Sequence, residues 1–217
     1  MCGRYAITDP EEYAERFGLD ALPEEIKPRF NAAPGQNLPV IIREDENRLE
    51  IMKWGLIPFW SKDIKIGYKM INARAEGVDS KASFRKPFKS QRCLIPANGF
   101  YEWQRNGHAK QPYFFCKSDK SAFAFAGLYD VWHSAGEKIK SFTIITTAAN
   151  NLVKPIHDRM PVILDISTES EWLDPETDSL TLINLLKSKE SIDWQSYRVS
   201  DLVNSPGNDH ASIIEPI

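Results

Sequence analysis

Residues 93–117 read CLIPANGFYEWQRNGHAKQPYFFCK. Two apolar, aromatic runs flank Asn106-Gly107, a dipeptide that favours the tight turn of a β-hairpin. The stretch predicts two antiparallel strands, and the segments around it read the same way. LPVIIRE (38–44) and RLEIMKW (48–54) predict two strands joined by a polar turn at Asp45 to Asn47. SAFAFAGLYDVW (121–132) alternates small and large apolar residues, and SFTIITTAA (141–149) is rich in β-branched residues. Both read as strands, the second buried. A short strand near WQSYRVS (194–200) follows. Helices are predicted in TDPEEYAERFGL (8–19), with Thr8 or Asp9 as cap and Pro10 in the first turn. STESEWL (167–173) and DSLTLINLLKSK (178–189) are also helical, the latter with an apolar face at Leu182, Leu185 and Leu186. The expected class is α+β: one domain over residues 1–217, with curved, mainly antiparallel strands in a barrel-like core and a few flanking helices.

The chain has 217 residues, 42% hydrophobic and 26% charged, as in an ordinary soluble protein. It contains no run of about 18 apolar residues, so no membrane span is expected. The start MCGRYAITDPEEY lacks a charged head and apolar stretch, so a cytoplasmic location is expected, nucleoid-associated when the protein is on DNA. Cys2, Cys93 and Cys116 form no disulfide framework and no CxxC occurs. Cys93 and Cys116 sit among apolar neighbours and read as core residues, whereas Cys2 lacks those surroundings. Cys2, Glu102 and His157 have no metal-ligand spacing, and no Gly-rich phosphate loop, GxSxG or HExxH occurs. Neither a metal nor a cofactor is expected.

A net charge of −3 argues against general adhesion to nucleic acid, but the charge is uneven. Lys53 to Arg92 hold ten Lys or Arg against three Asp or Glu, interleaved with Trp54, Phe59, Trp60, Tyr68, Phe84 and Phe88. Basic side chains neutralise phosphates and aromatic faces stack on unpaired bases. The same pattern also fits a solvated face beside core aromatics. MINARAE (70–76) places Asn72, Arg74 and Glu76 at period 2, on one face if the stretch is extended. That face is either the solvent side of a strand or a polar site. Glu102 lies between Tyr101 and Trp103, with Phe100 and Gln104 on its own face. A carboxyl in such surroundings tends to a raised pKa suited to proton transfer; the alternative is an exposed strand glutamate. Of the four histidines, His108 falls in a turn, His133 in a polar loop and His210 near the tail. His157, in KPIHDRMPVIL, is the best candidate for moving protons at neutral pH, against the alternative of a structural histidine.

Eight motifs in chain order resemble the SOS response-associated peptidase (SRAP) domain family. They are MCGRY, RFNAAPGQ, KWGLIPFW, INARAE, CLIPANGFYEW, ITTAAN, IHDRMPVIL and VNSPGNDH. The resemblance implies a compact SRAP-type domain with a positive cleft for single-stranded DNA containing abasic sites, with single-strand/duplex junctions as a further setting. It also implies a monomer. Cys2, made N-terminal by loss of Met1, would be the covalent nucleophile, and Asn72, Glu102 and His157 would complete the site. Arg4, Arg74, Arg85 and Arg159 would contact DNA. Trp60 would stack or wedge at the junction beside Phe59, which stands where the family often has a second tryptophan.

The chemistry of an N-terminal cysteine supports that reading. An α-amine titrates near ~7.7–8.0, far below the ~10.4 of a lysine, so much of it is neutral in the cell. It can attack the aldehyde of an open abasic sugar to give a Schiff base. The thiol of the same residue can then close a five-membered thiazolidine, which an internal cysteine cannot do because its nitrogen is an amide. His157 would move protons at the sugar oxygen, Glu102 would take one from the amine or thiol, and Asn72 would orient the reactants. A thiol-dependent autopeptidase or N-terminal-nucleophile hydrolase is the alternative, and a non-catalytic DNA-binding module a third. A lyase side activity would follow from the imine.

Overall fold

In the computed structural model, which describes residues 2–107, 109–134, 136–190 and 193–217, the 93–117 stretch forms three strands rather than two. Met1, expected to be removed, and His108 of the predicted turn lie outside the described residues. In chain order the strands are β1 (Tyr5–Ile7), β2 (Arg29–Ala32), β3 (Asn37–Arg43), β4 (Asn47–Trp54), β5 (Asn72–Arg74), β6 (Arg92–Ala97) and β7 (Gly99–Asn106). They continue as β8 (Ala109–Lys117), β9 (Phe123–Ser134), β10 (Glu137–Ala148), β11 (Arg159–Pro161), β12 (Ile163–Leu164) and β13 (Trp194–Arg198). The α-helices are short: α1 (Tyr13–Phe17), α2 (Arg85–Ser90), α3 (Ile166–Leu173) and α4 (Ser179–Leu185). The predicted first helix begins as a 3-10 turn, Pro10–Glu12, and ends at Gly18, whose φ of 61° closes α1. Asp9 occupies its N-cap position without a side-chain capping bond. Among the described residues, no helix is long and apolar enough to cross a membrane.

The strands divide into two sheets. One has the order β13-β8-β7-β1-β2, antiparallel throughout. The other closes on itself: β10 pairs with β9 and β4, β4 with β3, β3 with β6, and β6 with β9. This ring is the barrel-like core, and its one parallel seam is β4–β10. Ser141, Phe142 and Ile144 also pair with β9, so β4 and β5 follow each other along the opposite edge of β10.

Asn98 is where the chain leaves the barrel for the open sheet. Its Oδ1 accepts from the Thr8 N–H (3.0 Å) and the Tyr13 hydroxyl (3.0 Å), and its Nδ2 donates to Glu12 Oε1 (2.6 Å) and the Lys120 carbonyl (3.4 Å). These bonds fix where β1 enters the open sheet beside β7. The hairpin itself is β7–β8: Asn106 pairs with Ala109, and Gly107 has a φ of 62°, as such a two-residue connection requires.

Alternation along the open sheet sorts two hydrophobic clusters. Tyr5, Ile7, Phe100 and Phe115 face the main core with Trp54, Phe125 and Phe142. The Phe100 and Phe115 rings stack at 4.9 Å, and Tyr5 meets Trp54 at 5.3 Å. Ala6, Tyr101, Phe114 and Cys116 face the other way, under Val203 and Ile213 of the C-terminal segment. Cys93 is buried like Cys116. One member of the basic segment is structural: Arg92 is buried and donates to the carbonyls of Trp172, Phe88, Lys89 and Asp174, tying β6 to α2 and α3.

Candidate functional site

The N-terminal strand runs between β2 and β7, and this brings residues about a hundred positions apart in sequence together. The Tyr101 N–H donates to the Arg4 carbonyl at 3.1 Å, so Cys2 and Gly3 continue past the part of β7 that carries Glu102. Cys2 is fully buried, contrary to its polar sequence surroundings, because this pairing draws it against the main core. Its Sγ lies 3.8 Å from the Arg4 carbonyl oxygen. Burial pushes the thiol well above its ordinary range, and the Glu102 charge pushes the same way.

Glu102 is 2% exposed, so the reading as an exposed strand glutamate is wrong. Burial raises its carboxyl above the ordinary 4.5, and nearby positive groups, His157 among them, pull it partly back. Cys2, Glu102 and His157 are therefore electrostatically linked. His157 sits in the turn before β11, where the Arg159 N–H donates to its Nδ1 at 3.0 Å. The Arg159 carbonyl oxygen lies 3.2 Å from the same Nδ1, so this nitrogen faces both a donor and acceptors. Asp158 Oδ1 lies 3.0 Å from the same Nδ1 and would receive its proton in the imidazolium state.

The raised carboxyl makes a testable statement about stability. Between pH 4.5 and its raised folded value, Glu102 holds a proton more often in the folded than in the unfolded chain. Stability therefore falls as pH rises through that window and stays reduced above it. Glu102→Gln is expected to melt higher than the parent at pH 7–8, with the difference closing below pH 4. Scanning calorimetry across pH reads this directly; a Gln variant that melts lower at pH 8 would contradict it.

Arg74, Glu102, Trp103, Arg105, Lys110, His157, Asp158, Arg159 and Asn204 line one open cavity of about 480 Å³. Of the sequence candidates, Glu102, His157, Arg74 and Arg159 thus share a wall. Asn72 begins β5 opposite Ile144, to whose carbonyl its Nδ2 donates weakly at 3.5 Å. Its Oδ1 is buried without a hydrogen-bond partner. Asn72 and Arg74 share a strand face across buried Ala73, but Glu76 has left the strand for the 3-10 turn Ala75–Gly77. There it forms a two-pronged ion pair with Arg159, whose guanidinium also donates to the Thr146 carbonyl at 2.6 Å. Arg159 is thereby anchored beside His157.

Phe59, Trp60 and Arg85 lie elsewhere. Phe59 and Trp60 are each 48% exposed, and the Lys86 ammonium stands 4.2 Å over the Phe59 ring. Arg85 is exposed at the start of α2. Arg4 is half-buried, its guanidinium donating to the Gly3 carbonyl at 2.9 Å. Among the described residues, no group of three or more His, Cys, Asp or Glu is placed to hold a metal ion.

A sequence profile described as "SOS response associated peptidase (SRAP)" matches residues 1–206. The chain belongs to the SRAP family. It is 49% identical to the "Abasic site processing protein YoqW" of Bacillus subtilis, over 99% of both chains. It is 33% identical to the "Abasic site processing protein HMCES" of Xenopus tropicalis, over 96% of this chain and 76% of that one. A crystal structure of a Bacteroides thetaiotaomicron protein superposes with a TM-score of 0.87 at 30% identity, covering both chains completely. The mostly antiparallel, partly barrel-like α+β architecture is that of these SRAP relatives.

Five residues lining this cavity escaped the sequence reading: Trp103, Arg105, Lys110, Asp158 and Asn204. Asn204 is brought in by the C-terminal VNSPGNDH segment, where its Oδ1 accepts from Trp103 Nε1 at 2.7 Å. The segment itself is pinned by buried Asn31, which donates to the carbonyls of Val203, Ser205 and Asn208. Arg105 and Lys110 carried a legible signal: hairpin register sets them directly opposite. Like charges so placed repel unless an anion or solvent lies between them.

Proposed function

We propose that this SRAP protein processes abasic sites in single-stranded DNA by forming a covalent thiazolidine through Cys2 once Met1 has been removed. The observation that carries this reading is the buried Glu102 carboxyl, electrostatically linked to both the Cys2 thiol and His157 at a basic-walled cavity. An amine, a thiol, a proton acceptor and an imidazole are the groups needed to condense a 1,2-aminothiol with an aldehyde. The names of the relatives agree with that substrate.

The thiol held above its ordinary range orders the steps. It is protonated at neutral pH, so the α-amine attacks first. The amine nitrogen bonds to the sugar C1′ and the aldehyde oxygen becomes a hydroxyl. That hydroxyl leaves as water, leaving a Schiff base. The sulfur then adds to the imine carbon, its proton passing to Glu102 and the imine nitrogen gaining one. His157 donates a proton to the sugar oxygen during ring opening. Asn72 Oδ1 offers an acceptor to the amine or a sugar hydroxyl. Arg74, Arg105 and Lys110 attract the phosphates, and an unpaired abasic nucleotide enters the cavity with little unstacking cost.

Intact-mass measurement after mixing with an oligonucleotide carrying one abasic site tests this. The expected species is protein without Met1 plus DNA, less one water. Absence of that species under saturating DNA sinks the proposal. The peptidase in the family description favours a second reading, a Cys2-dependent autopeptidase. The same spectrum reports it as Cys2-dependent loss of an added N-terminal extension without DNA.

A further inference from the structure

A second, smaller cavity of about 190 Å³ lies at the other end of the β4–β5 edge, lined by Gly35, Lys53, Trp54, Gly55, Ile57, Ile64, Lys65, Gly67 and Tyr68. Part of its lining is closely packed glycine backbone. Gly55 has a φ of 118°, and a Cβ there would stand 2.6 Å from the Gly67 carbonyl oxygen. A Cβ on Gly67 would stand 2.7 Å from the Gly55 carbonyl oxygen. Tyr68 is 68% exposed, and its ring edge lies within 3.7 Å of where a Cβ on Gly35 would be. The exposed Tyr68 ring thus stands at a slot lined by glycine backbone, by Trp54, Ile57 and Ile64, and by two lysines. No carboxylate is among the lining residues.

We propose that this slot holds an unpaired nucleobase of the same DNA strand, stacked on Tyr68, with Lys53 and Lys65 on the flanking phosphates. An exposed aromatic face beside cations is the usual recipe for sequence-tolerant binding of single strands. The occupant is a base rather than an apolar side chain, because both charged lining residues are cationic. Trp54, at the end of β4, pairs with Phe142 and Asn72, at the start of β5, pairs with Ile144, so the strand that ends at the slot and the strand that carries Asn72 follow each other along β10. Lys53 also lines a shallow cavity with Lys138 and with Lys140, the latter ion-paired to Glu50.

The inference rests on the proposed DNA reading but is tested apart from the covalent step. The probe is a single-stranded oligonucleotide with a tetrahydrofuran abasic analogue, which has no aldehyde and cannot crosslink. A second such spacer replaces, in turn, each nucleotide within several positions on either side. Fluorescence anisotropy gives affinities for wild type, Tyr68→Ala and Tyr68→Phe. Removal of one particular base should weaken wild-type and Tyr68→Phe binding about 5- to 100-fold. Tyr68→Ala should bind the parent oligonucleotide as weakly as wild type binds the spacer-substituted one, and should not respond to the spacer. A Tyr68→Ala protein that binds like wild type, or that remains as sensitive to the missing base, overturns the slot. Failure of the functional reading shows separately, as a wild-type protein that forms no adduct with the aldehyde-bearing oligonucleotide.

Discussion

Cys2→Ala is expected to lower the stable adduct with abasic single-stranded DNA by about two orders of magnitude or more. The reason is specific to the thiol. After loss of Met1 the alanine variant still presents an α-amine and can form the imine, but it has no second nucleophile to close the ring. Borohydride added during the reaction should therefore trap a reduced imine with Cys2→Ala, whereas without borohydride the complex hydrolyses. A retained N-terminal extension removes the amine as well, and neither protocol should then give a product. Denaturing gels and intact masses separate these outcomes. Cys2→Ala forming stable adduct at the wild-type level would place the nucleophile elsewhere. The substitution is mild for the fold, since alanine fits a buried apolar position and Cys2 makes only a long sulfur contact at 3.8 Å.

Asn98→Ala should have the largest effect on stability of any single polar substitution near the site. The side chain is 3% exposed and serves Thr8, Tyr13, Glu12 and Lys120 at once. Each buried partner left without a bond costs about 1–3 kcal/mol. With part of the set reached by water, the expected loss is about 3–5 kcal/mol. For a chain of this size that lowers the melting temperature by roughly 10 °C. Asn98→Asp sharpens the test. It keeps the acceptor towards Thr8 and Tyr13 but sets a carboxylate against Glu12, so its deficit should shrink as pH falls and the acids protonate. Thermal melts at pH 4 and pH 8 decide it. A loss within 1 kcal/mol for the alanine variant would show that the corner is held by β-pairing alone.

The strands were readable because alternation and β-branched runs are local signals. β3, β4, β9 and β10 lie where LPVIIRE, RLEIMKW, SAFAFAGLYDVW and SFTIITTAA place them. The break at Asn98 was not readable, because CLIPANGFYEW is one continuous apolar run. What ends the first strand is a set of bonds to residues up to ninety positions earlier. The period-2 reading of INARAE applies to Asn72 and Arg74 and stops before Glu76, whose partner Arg159 lies 83 residues on. Glu102 could be suspected from its aromatic flanks, but its burial depends on long-range packing, the N-terminal segment beside β7 included. Cys2 was misplaced for the same reason. The short polar sequence around it says nothing of the core that β7 supplies. The Arg105–Lys110 opposition was available from the hairpin register and needed only the correct turn to be seen.

The burial of Cys2 behind β7 also sets a timetable for making the protein. On the proposed reading, an aminopeptidase must remove Met1 to free the amine, and in the finished fold Cys2 packs against the main core. The strand that encloses it spans Gly99–Asn106, so no folded pocket exists until more than a hundred residues have been synthesised. At about 5–20 residues per second, the nascent N-terminus stays open to the processing enzyme for roughly 5–20 s. Maturation of the nucleophile thus belongs to translation, ahead of folding.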